Sequence, residues 1–157
     1  MNPTLQKIVD EVERGYSGEP WHGPSLTKLL EDVDPLTASS VPVPHAHSIL
    51  QLVLHIAAWK EIVAERMRAS APVEVTPERN WPSSPAGEEG WKQALARLDI
   101  AERDLVAAIA GFQPDRLLSP VHGKRHTFAV ELRGITQHDA YHGGQIALLK
   151  RAARKPD

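Results

Sequence analysis

The carboxyl-terminal part of the sequence carries core-type residues at helical spacing, and this pattern restricts the fold more than any other feature. Along residues 127–153 such positions recur at steps of three and four, which places them on one face of a long helix. Residues 47–68 contain no Gly or Pro and show the same spacing. The sequence therefore predicts long helices over both ranges. The positions in the second helix are Phe128, Leu132, Ile135, His138, His142, Gln145 and Leu149.

Further helices are predicted around these two. Residues 2–15 open with Asn-Pro, a good helix start, and residues 25–30 form a short helical piece that begins at a serine. Residues 71–87 contain four prolines and form a long connection, which Trp81 is expected to anchor. Ser-Pro near the end of that connection opens another helix, which we expect to reach residues 111–112.

No segment shows the alternation of a β-strand, and no internal repeat occurs. A length of 157 residues suits one domain, which we expect to cover residues 1–157. The predicted fold is all-α, an antiparallel four-helix bundle with a long crossover connection. Metal sites in such bundles are built from side chains of facing helices.

The sequence contains no cysteine. This excludes disulfides, cysteinyl zinc sites, iron–sulfur clusters and a thiol nucleophile. Any metal site in this chain must therefore be built from imidazole, carboxylate and water ligands.

Charge and hydropathy exclude further classes of protein. The 18 Lys and Arg residues against 20 Asp and Glu residues give a net charge of −2, whereas nucleic-acid-binding domains usually carry a basic face. A basic cluster at the carboxyl end is explained as well by a helix dipole as by a partner. Residues 1–15 do not resemble a signal peptide, and the longest apolar run, residues 49–59, is too short to span a bilayer. We expect a cytoplasmic protein with no nucleic-acid or membrane partner. The basic cluster comprises Lys150, Arg151, Arg154 and Lys155.

His138 and His142 are separated by one helical turn, which brings their rings to about 6 Å from each other on one face. An H-x-x-x-H pair also arises by chance on exposed helices. Here the pair lies on the apolar stripe, where unpartnered polar rings would cost a few kcal/mol. This position favours a metal-ligand role for both residues.

His55 is the candidate third ligand, because it lies on the core stripe of the other long helix. Taken alone, it could equally be a core histidine that donates to a backbone carbonyl. Three inward-facing histidines on two helices are better explained by a metal site. Three imidazoles and one open position are typical of catalytic zinc. Imidazole also suits other divalent ions, so we expect zinc or nickel, with iron or manganese as alternatives.

Four polar residues are candidates for a supporting role. Gln51 and Gln145 each lie one helical turn from a candidate ligand, where an amide could orient an imidazole ring or a bound water. His47 and His22 could line the mouth of the site. The catalytic residues themselves cannot be assigned, because no Asp or Glu is placed near the histidines by spacing alone.

Other residues near the histidines are expected to have structural roles. Asp139 and Tyr141 fall on other faces of the helix, where packing or solvent contact is expected. Gly143 and Gly144 lower helix propensity, and close approach of a neighbouring helix would explain them. The sequence has no G-x-S-x-G, phosphate-binding loop or H-E-x-x-H motif.

Three segments resemble the DinB-like family of bacterial proteins, which includes the YfiT-type metal-dependent hydrolases. They are residues 21–26 (WHGPSL), 47–59 (HSILQLVLHIAAW) and 137–146 (QHDAYHGGQI). The resemblance extends over nearly the whole chain. Its most specific element is the pairing of a histidine in the second segment with the H-x-x-x-H-x-G-Q-I ending of the third.

The resemblance implies a four-helix bundle, commonly dimeric, that binds a divalent metal through three histidines. These match His55, His138 and His142. Some relatives in this superfamily are thiol-dependent S-transferases or isomerases that use a low-molecular-weight bacterial thiol, and others have no established activity.

Two functional hypotheses follow. The first is a metal-dependent enzyme that transfers a bacillithiol-like thiol cosubstrate to a small molecule, or hydrolyses that molecule, and works as a homodimer. The alternative is a non-catalytic stress protein that binds a metal or a small ligand. A DNA-repair role ranks last, because the charge balance does not favour it.

Overall fold

The computed structural model describes residues 2–154, and within this range the chain forms seven α-helices and no β-strand. The all-α fold class is therefore confirmed. The end of the predicted domain at residue 157 and the basic Lys155 lie outside the described residues. None of the described helices is both long and apolar enough to cross a membrane. The helices are α1 (Pro3–Ser17), α2 (Leu26–Leu30), α3 (Pro35–Ser39), α4 (Ile49–Arg68), α5 (Pro77–Asn80), α6 (Glu88–Ala110) and α7 (Phe128–Ala153), and a 3-10 helix covers Pro114–Leu118.

Side-chain caps fix where three of the long helices begin. The Asn2 side chain accepts from the N–H of Thr4 at the start of α1. Ser48 caps α4, so this helix begins slightly later than the predicted residue 47. Thr127 caps α7, in agreement with its predicted start. Each cap satisfies an amide that the helix itself cannot.

Helix α6 begins later than predicted. The Ser-Pro pair was expected to open it, but the chain turns at Gly87, which has a φ of 98° and precedes Glu88. A side chain at Gly90 would meet the carbonyl oxygen of Pro85 at 1.8 Å. The end of the connection thus folds tightly against the first turn of α6, where only glycine fits.

Ion pairs between the helices give their directions. Arg97 pairs with Glu61, and seven residues further along both helices Asp104 pairs with Arg68, so α4 and α6 run parallel. Helix α7 runs antiparallel to α4, because Lys60 pairs with Asp139 while a later α4 residue, Arg66, pairs with an earlier α7 residue, Glu131. The predicted antiparallel packing therefore applies to α4 and α7 but not to α4 and α6. The long crossover of residues 69–87 returns the chain to the end from which α4 started, as parallel neighbouring helices require.

The core consists of two apolar clusters, one towards each end of the bundle. The first surrounds the amino-terminal half of α4 and includes Leu52 and Trp91. The second surrounds its carboxyl-terminal half and includes Leu105 and Leu132. Lys60 falls between the two clusters along α4. His55, five residues before Lys60, and His138, next to Asp139, the ion-pair partner of Lys60, lie near this level of the bundle.

Candidate metal centre

The structure brings the three candidate histidines together. His55 comes from α4, and His138 and His142 come from α7. The Nε2 atom of His138 lies 3.1 Å from Nε2 of His55 and 3.1 Å from Nε2 of His142. One ligand atom from each of the three rings lies within 4.8 Å of the others. We call this group the histidine cluster.

Two of the rings are oriented by oxygen acceptors. Nδ1 of His55 is 2.7 Å from the carbonyl oxygen of Asn80, and Nδ1 of His142 is 2.6 Å from Oε1 of Gln145. Each oxygen accepts a hydrogen bond, so the proton of each ring is assigned to Nδ1. The Nε2 atoms of both rings then carry lone pairs that point into the cluster.

This arrangement fits a metal ion. His138 can direct one Nε2–H at one neighbour only, so at least one of the two 3.1 Å contacts joins nitrogens with no proton between them. A cation among the three nitrogens would remove that repulsion. Ligands at about 2.0–2.1 Å from a tetrahedral zinc ion lie roughly 3.3 Å from each other, close to the two 3.1 Å distances from His138. Three imidazoles suit zinc, nickel or iron alike, so the donor set does not select one ion.

Burial keeps the three cluster histidines neutral, which is the form in which an imidazole binds a metal ion. Removal from solvent, together with the neighbouring His142 and His55 imidazoles, lowers the pKa of His138 to about 3. Burial also lowers the pKa values of His55 and His142 below the ordinary value. At neutral pH all three rings are uncharged, as metal ligation requires.

The crossover supports His55 in two ways. Asn80, at the end of α5, accepts from Nδ1 of His55 through its carbonyl oxygen and from Nε1 of Trp59 through its side chain. Trp81 stacks on the His55 ring, with ring centroids 3.9 Å apart. Trp81 therefore anchors the crossover as predicted, and it does so directly against a candidate ligand.

His47 lies on the side of the Trp81 ring that faces away from His55. Its ring contacts the opposite face of Trp81, with ring centroids 3.7 Å apart, and the residue is exposed. Trp81 thus separates His47 from the ring of His55.

The two predicted supporting glutamines differ in role. Gln145 accepts from Nδ1 of His142, so it holds a cluster ring as expected. Gln51 instead accepts from the N–H of Ser48 and completes the cap of α4. A glutamine at the third position of a helix is well placed to accept a hydrogen bond from the backbone N–H of the capping residue. This capping contact competes with any contact between Gln51 and the histidine cluster.

His22 lies in a different part of the surface. It lines a small cavity of about 240 Å³ beside Gly143 and Gly144, and this cavity includes none of the three cluster histidines. The sequence predicts close approach of a neighbouring helix at these two glycines. The structure shows that this helix is α2, which approaches through Leu29. A Cβ atom at Gly143 would lie 3.1 Å from its Cδ1, whereas one at Gly144 would meet nothing within 4 Å.

Asp139 belongs to a buried charged group that the sequence reasoning missed. Lys60 is 0% exposed and pairs with both Asp139 and Glu102, the latter at 2.7 Å. Burial raises the pKa values of both carboxyl groups. Burial opposes the charge of Lys60, but the two acids raise its pKa above the ordinary value. The signal in the sequence was a lysine directly after the apolar run of residues 49–59, on a helix whose apolar residues continue at Ile62, since a fully buried lysine requires acidic partners.

All three cluster rings line the wall of one cavity, of about 600 Å³, which we call the main cavity. Its middle part is apolar and includes Trp59, Val63 and Ile135. Tyr141 lines it as well, although the sequence assigned this residue to another face. It is 66% exposed, and its ring meets that of His142 edge to face at 5.0 Å. A cavity of this size can admit a small organic molecule to the cluster.

A known protein family matches most of the chain. The sequence profile described as the DinB superfamily matches residues 21–146, a range that contains all three cluster histidines. No curated protein and no solved structure matches the chain significantly.

Proposed function

Because the chain belongs to the DinB superfamily, we propose that it is a divalent-metal-dependent enzyme whose ion is held by His55, His138 and His142. The observation that carries this proposal is that all three rings line the main cavity. A structural zinc site is usually closed by four protein ligands, whereas a catalytic site has three and keeps one position for water or substrate. Three imidazoles facing a cavity correspond to the catalytic arrangement.

The chain's own residues would orient the reactants. The bound ion would supply Lewis acidity, which lowers the pKa of a thiol or a water at the open position. The carbonyl oxygen of Asn80 and the amide of Gln145 hold two of the rings, so that their Nε2 atoms stay directed into the cluster. The apolar middle of the main cavity, with Trp59 and Ile135, favours an organic substrate over bulk water.

Thiol transfer is the preferred reaction, with hydrolysis as the second version. The candidate ligand group among the described residues consists of three imidazoles and has no carboxylate. A thiol that reacts as its anion needs no further protein base, whereas a hydrolytic water commonly uses one. The chain has no cysteine, so the sulfur must come from a cosubstrate such as bacillithiol or glutathione.

The test is thiol conjugation by the metal-loaded protein. Zinc- or nickel-loaded protein is incubated with bacillithiol or glutathione and monochlorobimane, and the fluorescent conjugate is measured. We expect conjugation by the wild type and by His122→Gln, which changes an exposed histidine outside the cluster, and none by His138→Gln. No conjugation with any thiol would reject transfer. Release of nitrophenol from p-nitrophenyl acetate, lost in the same variant, would then support hydrolysis.

The alternative is a non-catalytic metal-binding protein. The observation in its favour is that the three candidate ligands come from two different helices. An ion bound by them would join α4 to α7, so that metal binding would be coupled to folding. Water proton relaxation of the Cu²⁺-loaded protein separates the two versions. A bound water in exchange with solvent supports the enzyme, and a coordinatively closed ion supports the structural role.

Subunit state and location are part of the same proposal. We propose a cytoplasmic homodimer that acts on a small molecule. Size-exclusion chromatography with light scattering tests the dimer, for which a chain mass of 17.3 kDa gives the reference.

A further inference from the structure

The main cavity has a second end that the proposed metal chemistry does not use. Arg66 follows His55 by 11 residues on α4, which is about 16 Å along the helix axis. Glu131 precedes His138 by seven residues on α7, which is about 10 Å. Both residues line the cavity. A ligand that reaches from the cluster to this end would therefore span two to three helical turns.

The acidic residue at this end is neutralised. Glu131 is the one acidic side chain among the described residues that line the main cavity, and it pairs with Arg66. The two residues are 9% and 4% exposed, so the pair is buried in the wall. The guanidinium also lies 5.5 Å from the ring centroid of Trp59. Because the pair is close to neutral as a unit, Glu131 presents little negative charge to a ligand.

A tight turn adds basic groups at the same end. The N–H of Val121 donates to the carbonyl oxygen of His126, and Gly123 takes a φ of 73° between them. This turn places Lys124 and His126 in the cavity wall. Nε2 of His126 is 3.5 Å from Oε1 of Glu131, so His126 adjoins the ion pair. With Glu131 offset by Arg66, the charge of Lys124 leaves this end positive.

We propose that the molecule bound in the main cavity is an amphipathic organic anion. Its apolar body contacts Trp59, Val63 and Ile135, and its anionic group, a carboxylate or a phosphate, is held by Lys124 and His126 at the end remote from the cluster. As the identification of the substrate class, this inference rests on the proposed function. The binding preference itself does not require a metal.

Two fluorescent probes with one apolar body test the inference. 1-Anilinonaphthalene-8-sulfonate carries a negative charge, and N-phenyl-1-naphthylamine is its neutral counterpart. In chelator-treated protein we expect Lys124→Gln to weaken sulfonate binding about threefold to fivefold and to leave binding of the neutral probe unchanged. Lys92→Gln, which changes an exposed lysine outside the cavity, is the matched control. Added salt should weaken only the charged probe.

Two glycines of α7 locate the bound probe. A Cβ at Gly134 or at Gly144 meets nothing within 4 Å, so a side chain fits at either position. Gly134 lines the main cavity, whereas Gly144 lines the small cavity beside His22. We expect Gly134→Leu to abolish binding of both probes and Gly144→Leu to leave it intact. Competition by hexanoate, hexyl phosphate and hexanol then ranks carboxylate, phosphate and neutral ligands.

The outcomes separate this inference from the proposed function. Equal effects of Lys124→Gln on both probes, or hexanol competing as well as both anions, would overturn it while the metal proposal stands. If His138→Gln still binds the anionic probe in preference to the neutral probe, this result supports the anion site. It does so even if neither that variant nor the wild type binds a metal. Probe binding that survives Gly134→Leu would place the anion site elsewhere and reject the inference.

Discussion

Nε2 of His55 lies 3.1 Å from Nε2 of His138, although 83 residues separate the two histidines in the sequence. The contact belongs to an interface between α4 and α7 that also contains the Lys60–Asp139 ion pair. Two imidazoles that approach with nitrogen against nitrogen gain little unless a proton or a cation lies between them. His138 can direct an Nε2–H at only one of its two imidazole neighbours, so this interface fits a cation between the rings.

Replacement of a single cluster histidine should remove the metal and leave the fold. We expect His138→Gln to lower metal affinity more than about 100-fold, since loss of groups that merely support a ligand already costs 10–100-fold. The helical circular dichroism signal should be retained. Elemental analysis after dialysis gives the metal-to-protein ratio. A ratio equal to that of His122→Gln would show that His138 is not a ligand.

The two glutamines should separate a ligand-holding role from a capping role. Gln145→Leu removes the acceptor of His142 Nδ1, so we expect about 10-fold or more weaker metal binding. Gln51→Leu removes part of the α4 cap and should lower the free energy of unfolding by about 0.5 kcal/mol with unchanged metal affinity. Competition with a chromogenic chelator measures the affinity. Equal affinities in both variants would contradict this assignment.

Loss of Lys60 should destabilise the protein strongly. Lys60→Met leaves Asp139 and Glu102 buried without their cation, and removal of one partner from a buried ion pair costs about 3–5 kcal/mol. Denaturation in urea measures the change. Addition of Asp139→Asn and Glu102→Gln should restore most of the lost stability, because the triple variant has no unpaired charge. If Lys60→Met is as stable as the wild type, then water or a structural rearrangement stabilises the two buried acids in place of the lysine.

Acid should destabilise the metal-free protein through His138. In the unfolded chain this residue binds a proton near its ordinary pKa of 6.5, whereas in the folded protein burial lowers the pKa to about 3. Between these values the unfolded state binds more protons, so the free energy of unfolding falls as the pH falls below 6.5. Urea midpoints of chelator-treated protein between pH 7.5 and 5.5 measure this. His138→Gln should show a smaller decrease, and an identical decrease would assign the effect to other groups.

The two adjacent glycines of α7 should respond differently to alanine. Gly144→Ala adds helix propensity at an open, exposed position and should raise the free energy of unfolding by about 0.5–1 kcal/mol. Gly143→Ala brings a methyl group to 3.1 Å from Leu29, so its gain should be smaller or absent. Thermal unfolding compares the two variants. Equal gains in the free energy of unfolding for the two variants would show that α2 can move away from α7 at little cost.

Hydrophobic spacing predicted the long helices and the residues of the cluster because both depend on local geometry. A step of three or four residues places His138 and His142 on one face of any helix. The prediction for Gln51 was wrong, because the position of a residue on a helix face does not show which of two hydrogen-bond partners its side chain takes. Asn80 supports His55 through a backbone carbonyl, which every residue type possesses, so no residue pattern in the sequence indicates this contact.

By itself, the sequence determined an all-α chain, three inward-facing histidines and the absence of sulfur ligands from any metal site, because helix periodicity and residue chemistry are properties of short segments. The tertiary structure alone decided that α4 runs parallel to α6, that the crossover brings Asn80 and Trp81 against His55, and that Arg66 pairs with Glu131 in the wall of the main cavity. These features depend on contacts between residues far apart in the chain. Such contacts are set by packing of the whole bundle and leave no local pattern from which they could be read.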